Sequence, residues 1–202
     1  EQVTNVDMTK RPFTITTNAQ TVHSKTIIIA TGARARYLGI ESEKRMIGKG
    51  VSACATCDGF FFKDKDVFVV GGGDSAMEEA TFLTNFASHV TIINRSERFK
   101  ASAIMFDRAK HNDNITIMPN KVVEEVLGDE KMTGLKLKDT VTGVVEDVSA
   151  EGLFLAIGHT PNTESFKENL YVDNAGYIQT INGTPKTEIT GVFASGDVQD
   201  HV

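Results

Sequence analysis

Short, wholly apolar runs alternate along the chain with stretches in which apolar residues recur at helical spacing. Val67-Phe68-Val69-Val70 and Val90-Thr91-Ile92-Ile93 are β-rich, too short for ordinary helices, and bounded by glycine or polar residues. Each predicts a strand buried on both faces. Between them, over residues 75–87, Met77, Ala80, Phe82, Leu83 and Phe86 give the pattern of a helix. Strand, helix and strand in that order predict a βαβ unit and a parallel sheet. A second helix is predicted over 102–111, with Ile104, Met105 and Ala109 on one side. Further strands are predicted at 22–31, 116–118, 122–127, 135–138, 144–148, 152–157 and 191–194, with an antiparallel hairpin around 139–143. Residues 34–50, mixed and charged with Gly39, Gly48 and Gly50, read as a linker or crossover between domains.

Composition narrows the class. A length of 202 residues allows one domain or two small ones, and 24% charged with 40% hydrophobic residues describes a globular chain. Lys and Arg total 21 against 27 Asp and Glu, a net charge of −6 that disfavours nucleic acid or an anionic membrane as partner. The apolar runs are too short for a membrane-spanning helix. The chain opens on Glu1 without a methionine and stops at Val202 in what reads as a turn or helix start, so a fragment is expected. It shows no signal peptide, although a missing amino terminus could carry one.

Gly71-Gly72-Gly73-Asp74-Ser75-Ala76 is a G-x-G-x-x-A turn between a predicted strand and a predicted helix. Gly71 permits the tight turn, Gly73 lets the backbone approach a pyrophosphate, and Ala76 keeps the helix close to the strand. Free N–H groups at the helix start attract the phosphate charge. A dinucleotide site is the favoured reading, with a plain glycine turn as the alternative. At the tip of the next strand an NAD site places a carboxylate for the ribose 2′-hydroxyl. Here stand Asn94 and Arg95, followed by Arg98 and Lys100, with Glu97 outnumbered. Cations there favour a 2′-phosphate and hence NADP; a solvated basic loop is the bland alternative.

The two cysteines form a single motif, Cys54-Ala55-Thr56-Cys57, followed by Asp58. One C-x-x-C cannot supply four zinc ligands, and His23, His89, His111, His159 and His201 show no zinc spacing, so no metal site is expected. The spacing suits a disulfide that interconverts with a dithiol; two unrelated buried thiols are the alternative. Beside the pair, Asp58 suits a general acid that protonates a departing thiolate.

These motifs, with Ala30-Thr31-Gly32, Gly158-His159 before Pro161-Asn162, and Gly191-Val192-Phe193-Ala194 before Gly196-Asp197-Val198, resemble the low-molecular-weight thioredoxin reductases over nearly the whole chain. The resemblance implies an α/β fold of two Rossmann-like, three-layer β/β/α nucleotide-binding domains. An NADPH domain with the redox pair, residues 37–156, would be inserted into an FAD domain made of residues 1–36 and 157–202. It implies an NADPH-dependent thioredoxin-disulfide reductase serving cell redox homeostasis: NADPH reduces FAD at its N5, FAD reduces the Cys54–Cys57 pair, and the pair reduces thioredoxin. Cys57 would lie on the flavin side, Asp58 would be the acid–base residue, and which cysteine attacks thioredoxin stays open. Gly71, Gly72, Gly73, Asp74, Ser75, Ala76, Asn94, Arg95 and Lys100 would serve NADPH. Thr31, Gly32, Ile157, Gly158, Gly196, Asp197 and Val198 would serve cofactor in or beside the flavin domain. His159 reads at least as readily as a satisfied structural histidine as it does as a cofactor contact. The resemblance further implies a homodimer, domain rotation about hinges near 33–36 and Gly158, and a cytoplasmic location, with an organellar one open. The rivals are a flavin disulfide reductase serving another partner and a non-catalytic module that binds NADP.

Two departures stand out. The family's strand tip reads His-Arg-Arg with a further Arg four residues on, whereas this chain has Asn94-Arg95-Ser96 and Lys100. Lys is a point charge without the guanidinium fork, so discrimination of the 2′-phosphate is expected to be weaker unless Arg98 compensates. The family's amino-terminal G-x-G-x-x-G for FAD is not in this chain, so its FAD site is expected to be partial. Phe60-Phe61-Phe62 is expected to pack beneath the redox motif, with thioredoxin docking as the alternative.

Overall fold

The computed structural model describes residues 1–200; His201 and the end of the 157–202 segment lie outside them. The chain divides into two compact units, Arg36–Gly158 and a unit made of Glu1–Ala35 with the residues from His159 onwards. In chain order, the first flank gives β1 (Val3–Asp7), β2 (Phe13–Thr17), β3 (Thr21–Ser24), β4 (Ile27–Ile29) and β5 (Ala33–Ala35). The interior unit begins with α1 (Glu41–Met46), β6 (Val51–Ser52), α2 (Ala55–Asp58), β7 (Asp66–Val70), α3 (Asp74–Leu83) and β8 (His89–Asn94). It continues with α4 (Ala103–Lys110), β9 (Ile115–Pro119), β10 (Lys121–Gly128), β11 (Met132–Asp139), β12 (Val145–Ser149) and β13 (Gly152–Leu155). The second flank adds β14 (His159–Pro161) and β15 (Val192–Ala194).

The interior unit has the expected parallel sheet, with strand order β6-β13-β7-β8-β9. Its side chains alternate between two cores, as the two-residue period of a strand requires. Val67, Val69, Val90, Ile92 and Phe154 pack with Met77, Ala80, Leu83 and Ala109 of the helices. Phe68, Ile93, Leu153 and Leu155 pack instead with Val123, Val126, Leu135 and Leu137 of the antiparallel sheet β10-β11-β12. Helices, parallel sheet and antiparallel sheet thus make the three β/β/α layers. Full burial of such a side chain contributes about 1.5–3 kcal/mol, which is why the buried positions of the central strands are apolar but for Thr91.

The other unit contains the antiparallel sheet β1-β2-β3, the parallel pair β4 and β15, and the antiparallel pair β5 and β14. Phe13, Ile29, Phe166, Ile178 and Val192 lie in its core. No helix among the described residues is long and apolar enough to cross a membrane.

Three segments depart from the expected elements. The strand predicted over 22–31 is broken, because Ser24 Oγ donates to the Thr26 carbonyl at 2.6 Å and turns the chain between β3 and β4. Residues 34–50 contain α1 rather than a bare linker. The buried carboxylate of Glu43 accepts from the N–H groups of Leu38 and Gly39 at 2.7 and 2.9 Å, so a charged residue organises this segment. The helix predicted over 75–87 stops at Leu83, and the Thr84 hydroxyl donates to the Thr81 carbonyl as the chain turns away.

Candidate active site and nucleotide cleft

The redox turn leaves β6 and enters α2. Cys54 and Cys57 are joined as a disulfide with their Cα atoms 5.3 Å apart. Cys54 occupies the N-cap of α2, where its Sγ accepts from the Cys57 N–H at 3.2 Å. Cys57 is exposed and Cys54 half-buried. Asp58 closes α2, and its N–H donates to the Cys54 carbonyl at 3.1 Å. The Asp58 carboxylate accepts from Ser52 Oγ at 2.6 Å, and that hydroxyl also accepts from the Cys54 N–H at 3.1 Å. Disulfide, carboxylate and hydroxyl therefore form one connected group at the unit's surface.

The phenylalanine triplet does not pack beneath this group as a block. Phe62 is 8% exposed and stacks edge-on against Phe154, but Phe60 and Phe61 are 68% and 69% exposed. The single turn of 3-10 helix at Gly59–Phe62 turns one ring inward and leaves the other two in water.

Behind the redox turn, α2 packs on α3, with Ala55 in the same core as Met77 and Ala80. The Glu79 carboxyl on α3 is pushed up to about 7, chiefly by burial, opposed by the Ala55 backbone N–H and reinforced by the charge of Glu78. Its Oε2 is buried with no hydrogen-bond partner among the described residues.

A cleft of about 690 Å³ opens at the carboxyl ends of the parallel strands, where α/β sheets bind ligands. Gly71, Gly72, Gly73 and Ser75 line one side, and Asn94, Arg95, Arg98 and Lys100 another. Gly71 has φ +155°, and a side chain there would strike the Ala156 carbonyl. A Cβ at Gly72 would meet Asn94 Oδ1 at 2.7 Å, whereas one at Gly73 would find nothing within 4 Å. The turn is thus closed on its protein side and open on the other, as a phosphate cradle requires. Asn94 also shapes the basic loop, donating from Nδ2 to the carbonyls of Ser96 and Arg98 at 2.8 and 3.2 Å.

Two residues of the turn point elsewhere. Ala76 is buried beneath Gly71, and the Asp74 carboxylate accepts from the Ser102 N–H at 2.6 Å, tying the start of α3 to that of α4. Ile157 and Gly158 line this cleft within the interior unit.

In the other unit, Thr31-Gly32 and Gly196-Asp197 follow β4 and β15, which run side by side and parallel. Gly32 and Gly196 have φ +68° and +76°, each with open space where a side chain would stand. Asn162 braces the first motif, donating to the Thr31 carbonyl at 2.9 Å and receiving the Thr31 hydroxyl on its own carbonyl at 2.7 Å. Val198 is buried in the core. His159 Nδ1 is buried with no hydrogen-bond partner among the described residues.

The family model for pyridine nucleotide-disulphide oxidoreductases matches residues 1–202. The chain belongs to that family. Among curated members, the thioredoxin reductase of Streptomyces clavuligerus is 50% identical over 202 residues, covering 100% of this chain and 63% of the relative. That of Mycolicibacterium smegmatis is 47% identical, covering 100% and 65%. This chain therefore spans less than two thirds of the length of either relative. Among solved structures, thioredoxin reductase from Giardia duodenalis superposes with a TM-score of 0.84 at 41% identity, covering 99% of this chain and 66% of that one. The enzyme from Streptococcus pyogenes MGAS5005 gives 0.84 at 38%, covering 99% and 65%.

For a pyridine nucleotide-disulphide oxidoreductase, two residues of this site went unnoticed in the sequence. Ser52 reads as an ordinary strand-end serine until the turn brings Asp58 onto it. Glu79 reads as the outer face of an amphipathic helix until α2 covers it. Only an S-x-C-x-x-C-D spacing hinted at the first, and nothing local marked the second.

Proposed function

We propose that the complete protein is an NADPH-dependent thioredoxin-disulfide reductase. The observation that carries the reading is a surface disulfide with an adjoining hydrogen-bonded carboxylate, on the same unit as a glycine-turn cleft rimmed by three exposed cations. Family membership and the likeness to thioredoxin reductases supply the substrate class.

The interior unit would hold NADPH. The Gly71–Gly73 turn and the start of α3, whose first N–H groups have no carbonyl within the helix, suit the pyrophosphate. Arg95, Arg98 and Lys100 suit the 2′-phosphate. Thr31-Gly32 and Gly196-Asp197 would contribute to the FAD site from the other unit, where both glycines leave open space at adjacent strand ends. When bound, the two nucleotides supply the electron pair that opens the Cys54–Cys57 bond.

Once that bond is open, the Cys57 N–H aimed at Cys54 Sγ makes Cys54 the sulfur better able to carry negative charge. Cys54 then attacks the partner's disulfide, and Asp58 protonates the thiolate that leaves. Exposed Phe60 and Phe61, which follow Asp58 closely in the chain, supply an apolar landing. A cytoplasmic homodimer is the assembly the family resemblance implies.

The test follows NADPH oxidation by the complete flavin-containing protein with thioredoxin disulfide as acceptor. Oxidation that depends on thioredoxin and is lost in Cys57→Ser supports the reading. Oxidation that reduces the flavin but leaves thioredoxin untouched overturns the choice of substrate.

A further inference from the structure

The polar groups of the redox turn converge on a hydroxyl outside the C-x-x-C motif. Ser52, buried at the end of β6, donates to Asp58 Oδ2 at 2.6 Å and accepts from the Cys54 N–H at 3.1 Å; the Cys54 carbonyl lies 3.4 Å from the same oxygen. A serine hydroxyl has one proton to give. At 2.6 Å that proton belongs to Oδ2, the much closer acceptor. Oδ2 is then occupied whether Asp58 is charged or neutral, because either a carboxylate oxygen or the carbonyl oxygen of a carboxylic acid accepts it. Among the described residues no hydrogen bond holds Oδ1. Asp58 thus has one anchored oxygen and one free to carry an exchangeable proton.

We propose that Ser52 is a positioning residue for the acid–base group: its hydroxyl fixes Oδ2 of Asp58, so that the mobile proton resides on Oδ1 beside the cysteine pair. The inference rests on the redox and acid–base roles assigned under the proposed function, and it deepens them. The reduced pair begins as two thiols, one of which passes its proton to Asp58 Oδ1 as its sulfur attacks. The thiolate forms a bond to one sulfur of the acceptor disulfide, whose own S–S bond breaks. The departing sulfur takes the bonding electrons and the proton from Asp58 Oδ1. The remaining enzyme thiol then gives its proton to the Asp58 carboxylate and attacks the mixed disulfide. The second acceptor sulfur leaves with that proton. The acceptor gains two electrons and two protons, and the enzyme pair returns to a disulfide with Asp58 ionised.

The position of a general acid matters in proportion to how poorly the leaving group holds charge. An aliphatic thiolate needs the proton, whereas an acidic aromatic thiolate leaves without it. The complete protein would be chemically reduced, freed of reductant, and mixed either with hydroxyethyl disulfide or with dithiobis(nitrobenzoate), its remaining thiols being read by alkylation. Neither arm needs NADPH or thioredoxin.

Ser52→Ala should slow the aliphatic reaction about tenfold, part of the 10²–10⁴ that a general acid contributes, and leave the aromatic one within about twofold. Ser52→Thr, which keeps the hydroxyl, should recover most of the loss. The Ser52→Ala/Asp58→Asn double variant should be no slower than Asp58→Asn alone, since both act through one group. A fast Ser52→Ala beside a slow Asp58→Asn overturns the Ser52 role alone, as does equal slowing with both disulfides. A fast Asp58→Asn overturns the acid role, and Ser52's with it. Failure of thioredoxin as substrate leaves these rates untouched.

Discussion

Two turns of the same parallel sheet lead from a strand into a helix, β6 into α2 and β7 into α3, and they treat their polar groups in opposite ways. In the redox turn, Cys54, Cys57, Asp58 and Ser52 are bonded to one another. In the nucleotide turn, Gly73 borders open space, and among the described residues Arg95, Arg98 and Lys100 make no ion pair within 4.0 Å. Lys121, which also lines that cleft, is by contrast held by Glu146 and Asp139 at 2.8 and 3.4 Å. A group that does chemistry must be held in place before its substrate arrives. A group that receives a charged ligand must keep its donors free for it. Under the proposed function, the difference separates a reacting site from a binding site on one scaffold.

The strongest way to break this contrast is to close the open turn. Gly71→Ala forces a Cβ onto the Ala156 carbonyl at a φ of +155°, and a backbone strained in this way costs on the order of 1–3 kcal/mol. NADPH affinity should fall by more than about 100-fold, roughly two steps of 1.4 kcal/mol, with a lower melting temperature. The Cys54–Cys57 pair should still exchange with dithiobis(nitrobenzoate) once chemically reduced. Equilibrium titration with NADPH decides the matter: wild-type affinity in the alanine variant would remove the turn from the binding site.

A sharper cut separates phosphate recognition from nucleotide binding in general. Arg95→Ala, Arg98→Ala and Lys100→Ala should each weaken NADPH about tenfold, in the range of one charge-assisted contact, and leave NADH nearly unchanged. Equal losses for both nucleotides would mean that these cations hold the loop or the pyrophosphate and do not read the 2′-phosphate.

On the reacting side, Phe60→Ala with Phe61→Ala should raise the KM for thioredoxin about tenfold, the scale of an interface hot spot. The rate with hydroxyethyl disulfide should not change, because a small acceptor does not touch the rings. Unaltered KM would return the two rings to the status of exposed but idle surface.

What could be read from the sequence was whatever is local. The Gly71–Ala76 turn, the C-x-x-C and the strands β7 and β8 each declare themselves within a few consecutive residues, and the parallel sheet follows from their order. The misreadings share a different cause: periodicity shows which face is apolar, and does not show which polar residue will find a partner. Glu43 turns a charged stretch into α1 by accepting two backbone N–H groups. The Asp74 carboxylate, in a turn expected to serve NADPH, also finds the Ser102 N–H across the helix layer, a partner no local pattern marks. No element was expected over residues 1–21 of the flanking domain, yet they supply β1, β2 and the start of β3, strands rich in threonine and half-exposed, without the clean alternation that marks a strand. Phe60 and Phe61 look like core by composition and are placed in water by a single turn of 3-10 helix.

Glu79 offers the smallest effect and bears on the boundary between the two turns, since it sits on the nucleotide helix against the redox helix. On α3, the ionisable neighbour that acts on it is Glu78. The elements packed against α3 carry Asp58 on α2, Asp66 on β7, His89 on β8, and Asp107, Arg108 and Lys110 on α4, and none of these pairs with it within 4.0 Å. Its carboxyl is pushed from the ordinary value of 4.5 up to about 7 in the folded chain. Between those values the folded state holds a proton that the unfolded chain has released, so stability falls as pH rises through that window and levels off above it. Glu79→Gln removes the charge and with it this decline. The variant should therefore gain on the wild type between pH 5 and pH 8, by about 2 °C in melting temperature at most, because solvent screens a carboxyl that is only partly buried. Melting curves at the two pH values measure the difference of differences. An offset identical at both would mean that Glu79 is ionised throughout, with the Ala55 N–H outweighing its burial.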